Sequence, residues 1–112
     1  MIKKFTQNES NGPKGWMVWQ VTGRIDNQNA DEVHQYGEAL VKKNDKTVLD
    51  MSQMEYLSSA GLRVLLRLNR LAQKSGKNFT VAGADGMVDS VLQDSGMGEL
   101  LQMKKSLADL EE

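Results

Sequence analysis

The chain has 112 residues, a length that fits one domain with a modest apolar core, and we expect residues 1–112 to form a single domain. Its 14 lysines and arginines nearly balance 15 aspartates and glutamates, and the formal net charge is −1. This balance argues against a surface devoted to direct nucleic-acid binding. The chain contains no cysteine, which excludes disulfides, thiolate metal sites and cysteine nucleophiles.

Membrane insertion is not expected. No stretch approaches the roughly 20 consecutive apolar residues of a membrane-spanning helix. The first residues, MIKKFTQNES, turn polar within five positions and lack the apolar stretch of a signal peptide. We therefore expect a cytoplasmic location.

The first 25 residues predict a β-hairpin. Residues 2–7 predict a short strand, residues 8–15 (NESNGPKG) a turn, and residues 16–23 a second strand rich in aromatic and β-branched side chains. Two strands separated by a turn cluster are expected to pair antiparallel.

A helical period follows the hairpin. Its inward face is predicted to consist of Ala30, Val33, Gly37, Leu40 and Val41. Asp26 or Asn27 is the expected N-cap, and Lys42 and Lys43 lie in the last turn, where the helix dipole favours positive charge.

Residues 46–52 (KTVLDMS) then predict a buried strand, and a short loop leads to the most strongly predicted helix, which begins at Ser58 and Ser59. Its apolar side chains cover more than half of its circumference, so this helix is expected to be central. Its charged residues share one narrow strip, consisting of Arg63, Arg67, Arg70 and Lys74. Without interleaved aromatic residues, this strip indicates a solvated or protein-binding face.

The last third of the chain predicts a strand at residues 78–83, a helix at 85–96, a short strand region at 97–103 and a closing helical turn capped by Ser106. The full order is β-β-α-β-α-β-α-β-α. Strands that alternate with helices predict an α/β fold with a mixed, mostly parallel sheet, about four helices and the antiparallel hairpin at its edge.

Catalytic chemistry has little support in the sequence. A serine nucleophile needs a neighbouring base, and the only histidine is His34, which falls at the border of the apolar face of the first helix. The sequence contains no nucleophile elbow, zinc motif or phosphate-binding Walker loop. We therefore expect no enzymatic activity, no metal and no cofactor.

Ser58 and Ser59 are the candidates for a functional site. They follow a strand and open a helix, which places them at the carboxyl edge of a parallel sheet, where α/β folds bind their ligands. A hydroxyl there either caps the free amides of the first turn or accepts a phosphate that those amides and the helix dipole stabilise. The residues alone leave both interpretations open.

Three ordered segments resemble the signature of STAS domains, the fold shared by anti-sigma factor antagonists and the cytoplasmic tails of sulphate transporters. The segment VLDMSQMEYLSSAGLRVLL resembles the strand, spacer and Ser-Ser-Ala-Gly-Leu helix start of this family. VTGRID resembles the segment before its first helix, and VLQDSGMGELL resembles its apolar-x-x-Ser-Gly-Leu segment. Together these segments span about residues 16–101.

The resemblance assigns expected roles to single residues. The family's phosphorylated residue lies two places before the glycine of Gly-Leu, which is Ser59 here, with Gly61 after it. The preceding position is commonly Asp in antagonists and is Ser58 in this chain, so Ser58 is a possible alternative acceptor. Asp26 matches an acidic residue at the family's partner surface, and Arg63 lies one helical turn after Ser59. The expected partner-binding set is Asp26, Ser58, Ser59, Gly61 and Arg63.

The resemblance implies a protein-binding switch. An unphosphorylated antagonist binds an anti-sigma factor that is also a serine kinase and thereby releases the sigma factor; phosphorylation ejects the antagonist, and a phosphatase resets it. The alternative is a STAS interaction module without a switch, in a signalling scaffold or in a lipid or anion transport complex. A third possibility is a small-molecule or nucleotide site at the same helix terminus. The oligomeric state stays open.

Overall fold

The structure is a computed structural model that describes residues 5–111. Its strands are β1 Phe5–Asn11, β2 Met17–Ile25, β3 Lys46–Asp50, β4 Met54–Leu57, β5 Asn78–Ala82 and β6 Gln102–Lys104. Its α-helices are α1 Ala30–Lys43, α2 Ser59–Lys74, α3 Gly86–Asp94 and α4 Met97–Leu100, and 3-10 turns lie at Pro13–Gly15 and Leu107–Asp109.

The six strands form one mixed sheet in the order β1-β2-β3-β5-β6. β1 and β2 pair antiparallel, and the other pairs are parallel. The long strand β2 has two partners on one side, since Met17–Gln20 pair with β3 and Gly23–Ile25 pair with β4. The predicted α/β class, with a mostly parallel sheet and an antiparallel hairpin at its edge, is confirmed.

The main core lies between the helices and one face of the sheet. Alternate residues of the central strands point into it, among them Trp19, Val21, Leu49 and Val81. The buried residues of α1 are those that the sequence pattern predicted: Ala30, Val33, Gly37, Leu40 and Val41. Helix α2 is central as expected, and its predicted charged strip is exposed.

A second, smaller core lies on the opposite face of the sheet. It consists of Trp16, Val18, Val48, Ala82 and Leu110, with Leu107 packed against it. The Trp16 indole N–H donates a hydrogen bond to the Glu111 carbonyl oxygen, and Lys14 Nζ donates one to the Leu110 carbonyl oxygen at 2.9 Å. The end of the chain therefore covers part of this face.

Two segments differ from the prediction. Residues 54–57, predicted as loop, form strand β4, because the end of β2 offers them backbone partners beyond the end of β3. Residues 97–103, predicted as one strand region, divide into helix α4 and strand β6. Gly96 separates α4 from α3 with a positive φ of 78°, a conformation that glycine adopts without steric cost.

Several boundaries also differ, two of them by enough to matter. Strand β1 extends to Asn11, into the predicted turn, and positions 2–4 of the predicted first strand lie outside the described residues. The N-cap of α1 is Asn29 and not Asp26 or Asn27. The predicted closing helical turn after Ser106 is confirmed: it is a 3-10 turn at Leu107–Asp109, with Ser106 at the N-cap position.

Candidate functional site

The two adjacent serines have different environments. Ser58 is the N-cap of α2: its hydroxyl oxygen accepts a hydrogen bond from the Gly61 backbone N–H at 3.2 Å, and its carbonyl oxygen accepts one from the Leu62 N–H at 2.9 Å. Ser59 is the first residue of the helix and is exposed. Within residues 5–111, no hydrogen bond engages the Ser59 hydroxyl. One serine therefore caps the helix and its neighbour presents an available hydroxyl.

Backbone contacts fix this helix start to the sheet. The Ser58 N–H donates to the Ile25 carbonyl oxygen at 3.0 Å, a bond that belongs to the parallel pairing of Ile25 with Leu57 at the end of β2 and β4. A Cβ atom at Gly61 would lie 2.5 Å from Leu57 Cδ1 and 3.0 Å from Ile25 Cγ2. The glycine therefore lets the first turn of α2 rest directly on the ends of both strands.

Asp26 lies in a tightly bonded loop between β2 and α1. Its Oδ1 accepts a hydrogen bond from the Gln28 N–H at 3.0 Å, and its own N–H donates to Asn29 Oδ1 at 2.9 Å. The Asn29 side chain in turn donates to the Arg24 carbonyl oxygen at 2.8 Å. These local bonds, typical of Asx turns, fix the position of the Asp26 carboxylate.

Arg24 connects this loop to β4. Its Nε lies 3.7 Å from Asp26 Oδ2, and its guanidinium carbon lies 4.3 Å from the centre of the Tyr56 ring. The Tyr56 contact follows from the sheet register, in which Arg24 and Tyr56 are partners on β2 and β4. An arginine over an aromatic ring within about 6 Å has the geometry of a cation–π interaction.

These residues surround one open groove of about 530 Å³, which we call the serine groove. Its lining consists of Arg24, Asp26, Asn27, Gln28, Tyr56, Ser58, Ser59, Ala60 and Arg63. Four of the five residues expected to bind a partner therefore line it. The fifth, Gly61, lies within the first turn of α2 and packs on Ile25 and Leu57.

The charges of the serine groove favour an anion. Its lining includes two arginines, Arg24 and Arg63, and one carboxylate residue, Asp26. No histidine lines the groove, so the lining supplies no imidazole base to Ser59. In the part of the chain that is described, His, Asp and Glu side chains form no cluster of three that could hold a metal ion.

His34 lies on α1, outside the serine groove. Its side chain is only 13% exposed, with Nε2 4.0 Å from Glu38 Oε2. Burial and the nearby Arg67 guanidinium lower the pKa of His34 below its ordinary value of 6.5, against the opposing effect of the Glu38 and Asp31 carboxylates. This partly buried imidazole therefore feels the charge of Arg67 on α2 as well as the carboxylates of its own helix.

The sequence interpretation missed Arg24 and Tyr56 as residues of the site. Arg24 stands two positions before Asp26 in the VTGRID segment, so it was within reach of a pattern argument. Tyr56 was assigned to a loop, and only the pairing of β2 with β4 brings it to Arg24.

The chain is similar in sequence to proteins of one family. A family model described as "Mlab, STAS domain" matches residues 14–102, which is most of the chain. An anti-sigma F factor antagonist of Paenibacillus polymyxa is 25% identical over 97 residues, which cover 85% of this chain and 83% of that protein.

Solved structures show the same fold. The crystal structure of an anti-sigma factor antagonist from Mycobacterium paratuberculosis has a TM-score of 0.84 and 26% identity, covering 94% of this chain and 89% of that one. A putative anti-sigma factor antagonist from Thermotoga maritima has a TM-score of 0.80 at 16% identity, with the same coverage of 94% and 89%. The chain therefore belongs to the STAS domain family, and the relatives that it resembles in sequence are named anti-sigma factor antagonists.

Proposed function

We propose that this chain is an anti-sigma factor antagonist whose binding to an anti-sigma factor is controlled by phosphorylation of Ser59. The observation that carries the proposal is the division of roles at the start of α2. Ser58 satisfies the helix amide, so the exposed Ser59 hydroxyl can be modified without loss of the cap. Phosphorylation of Ser58 would instead disturb that cap, which makes Ser59 the favoured acceptor.

In this proposal the partner is a serine kinase that brings ATP and magnesium. The Ser59 oxygen forms a bond to the γ-phosphorus, the bond from that phosphorus to the bridging oxygen breaks, and ADP leaves. A base of the kinase takes the hydroxyl proton, since no histidine lines the serine groove. The chain acts as a substrate and a binding partner and not as an enzyme.

The phosphate would change the surface by charge and by volume. It brings a charge of about −1.5 to −2 to a position that presents a neutral hydroxyl before modification. A partner surface that fits the neutral state then meets the added charge and volume of the phosphate, and the complex dissociates. A phosphatase restores the binding state.

Direct nucleic-acid binding and membrane insertion are not part of the proposal. The strip of Arg63, Arg67, Arg70 and Lys74 is exposed, and the formal net charge of the chain is −1. Across residues 5–111, no helix has both the length and the apolar character needed to cross a bilayer. We propose that the chain works in the cytoplasm as a single domain.

The test begins with the protein purified from its native cells. Intact-mass and phosphopeptide measurements are expected to find one phosphate on Ser59, absent in Ser59→Ala. In binding measurements with the copurifying anti-sigma factor, Ser59→Ala keeps its affinity and loses its response to ATP, whereas Ser59→Asp binds at least tenfold more weakly. The matched control is Ser58→Ala, which keeps the acceptor.

The non-switching alternative makes the opposite prediction. A STAS interaction module in a scaffold or a transport complex would carry no phosphate under any growth condition. Its affinity for its partner would be the same in Ser59→Asp as in the unmodified protein. That pair of results would refute the switch and favour the static module.

A further inference from the structure

We propose that Arg24 is the receptor for a phosphate on Ser59, and that Arg24 exchanges its contact with Asp26 for this phosphate. The inference rests on the proposed phosphorylation of Ser59 and adds the residue that binds the phosphate. The exchange forms and breaks only non-covalent contacts.

Arg24 is positioned for this role by the backbone. The hydrogen bond from the Ser58 N–H to the Ile25 carbonyl oxygen joins the end of β2 to the start of α2 at 3.0 Å. Arg24 immediately precedes Ile25, and Ser59 immediately follows Ser58, so both flank this link. Their side chains line the same groove. A phosphate on Ser59 therefore enters the groove that already holds the Arg24 guanidinium.

The ion pair with Asp26 holds Arg24 only loosely. Its Nε lies 3.7 Å from Asp26 Oδ2, well beyond the 2.7–2.9 Å typical of a charge-assisted hydrogen bond, and the Arg24 side chain is 44% exposed. Exposed ion pairs of this kind contribute little to stability. Since Asp26 Oδ1 also accepts from the Gln28 N–H, the carboxylate keeps its position without the arginine.

Tyr56 makes the exchange favourable. The Arg24 guanidinium carbon lies 4.3 Å from the centre of the Tyr56 ring. An arginine that contacts a ring through its flat face leaves the N–H donors at the edge of the guanidinium free for an acceptor. A phosphate offers such an edge two acceptor oxygens and twice the charge of the Asp26 carboxylate. Arg24 can therefore rotate towards Ser59 while it remains stacked on Tyr56.

Arg63 completes the charge balance. It lies four residues after Ser59 on the exposed strip of α2 and lines the same groove. Together, Arg24 and Arg63 bring two positive charges to a dianionic phosphate. Asp26 loses its arginine in the same event, so phosphorylation alters the surface at two positions, the acceptor serine and the Asp26 carboxylate.

The test uses protein with phosphoserine inserted at position 59 during translation, so it needs neither the native kinase nor the partner. ³¹P NMR titration measures the second pKa of this phosphoserine, which is about 6 in a solvated group. We expect a value about 1 pH unit lower in the folded protein than in the same protein in urea, because guanidinium groups stabilise the dianion.

Variants of three arginines identify which side chain lowers the phosphoserine pKa. Arg24→Gln is expected to remove at least half of the difference, and Arg63→Gln a smaller part. Arg70→Gln is the matched control, since it removes an arginine from the same helix outside the groove lining. In ¹³C–¹H spectra of the phosphorylated protein, Arg24 side-chain signals should shift relative to the unmodified protein while Tyr56 ring-current effects persist.

An unchanged phosphoserine pKa in Arg24→Gln, in a variant that melts like the parent, would overturn the inference. This outcome is separate from the proposed function. If a kinase modifies Ser59 and ejects the partner while Arg24→Gln leaves the pKa unchanged, the switch stands and Arg24 is not its receptor. If no kinase modifies Ser59 in cells, the titration still reports whether the groove binds phosphate.

Discussion

The Ser58 hydroxyl oxygen lies 3.2 Å from the Gly61 backbone nitrogen and accepts its hydrogen bond, while the next residue, Ser59, is exposed. A helix start needs an acceptor for its free amides, and a phosphorylation site needs an accessible hydroxyl. A single serine would have to give up the first role to perform the second. Two adjacent serines divide the capping role and the acceptor role between them. The pair is therefore more informative than either residue alone.

Removal of each hydroxyl should therefore have a different effect on stability. Ser58→Ala is expected to lower the free energy of unfolding by about 1 kcal/mol, because it removes the N-cap acceptor of α2. In thermal unfolding this corresponds to about 4 °C. Ser59→Ala is the matched control and should change the free energy by less than about 0.5 kcal/mol, as expected for an exposed position.

Ser58→Asp extends this comparison. Aspartate is as good an N-cap as serine, and its charge lies at the positive end of the α2 dipole, so stability should equal or exceed that of the parent protein. Equal losses of stability in Ser58→Ala and Ser59→Ala would contradict the assignment of the cap to Ser58.

Gly61 is expected to be required for the close packing of α2 on the ends of β2 and β4. In Gly61→Ala the added methyl would meet Leu57 Cδ1 at 2.5 Å and Ile25 Cγ2 at 3.0 Å, and both side chains are buried, so neither can move away cheaply. Overpacking costs about 1–3 kcal/mol, whereas alanine gains up to about 1 kcal/mol of helix propensity. Urea unfolding should show a net loss of about 1–2 kcal/mol.

The control for that variant is Gly98→Ala in α4. The nearest atom to a Cβ there is Gln93 Oε1 at 3.1 Å, the end of an exposed and flexible side chain. The helix-propensity gain should therefore dominate, and stability should stay equal or rise. A Gly61→Ala protein as stable as Gly98→Ala would show that α2 does not need close contact with the strand ends.

The sequence predicted well the features that depend on residues close together along the chain. The apolar period of α1 identified its five buried residues, and the position of Ser58 and Ser59 at the start of α2 followed from capping chemistry. The family resemblance then supplied Asp26, and the spacing of one helical turn from Ser59 supplied Arg63; the structure brings both to the same groove. Each of these conclusions depends on neighbours within a few residues or on a quoted motif.

The features that the sequence did not predict depend on contacts between segments that are far apart along the chain. The four residues of β4 lack a clean alternation, and they form a strand because the end of β2 extends past β3 and offers them a parallel partner. The contact of Arg24 with Tyr56 exists only in that register. Leu110 is buried because Trp16 and its neighbours lie on the sheet face beneath it, which no local pattern near residue 110 indicates.

His34 should make folding stability depend on pH. Burial lowers its pKa in the folded protein below 6.5, so the unfolded chain takes up a proton first as the pH falls. The free energy of unfolding should therefore decrease as the pH drops from about 6.5 through the lower pKa of the folded state, and this contribution is constant above that window. The neighbouring Arg67 and Lys42 strengthen the effect, and Glu38 and Asp31 oppose it.

The measurement is urea unfolding between about pH 7.5 and 5.5 for the parent protein and for His34→Gln. Because His34 is the only histidine, the difference between the two curves isolates its contribution, and NMR titration of the imidazole gives the pKa directly. Identical pH dependence in both proteins would refute the prediction. A more stable folded state at the lower pH, relative to His34→Gln, would mean that the carboxylates dominate the site.

Asp26 has a structural and a proposed partner-binding role, and two variants separate them. Asp26→Asn keeps an oxygen to accept the Gln28 N–H bond and loses only the charge, so its stability should stay within about 0.5 kcal/mol of the parent. Asp26→Ala loses the bond as well and should cost about 1 kcal/mol. If the carboxylate contacts the anti-sigma factor, both variants should bind it at least about tenfold more weakly, a loss of about 1.4 kcal/mol. Weak binding by Asp26→Ala together with full affinity in Asp26→Asn would show that the loop conformation matters to the partner and the charge does not.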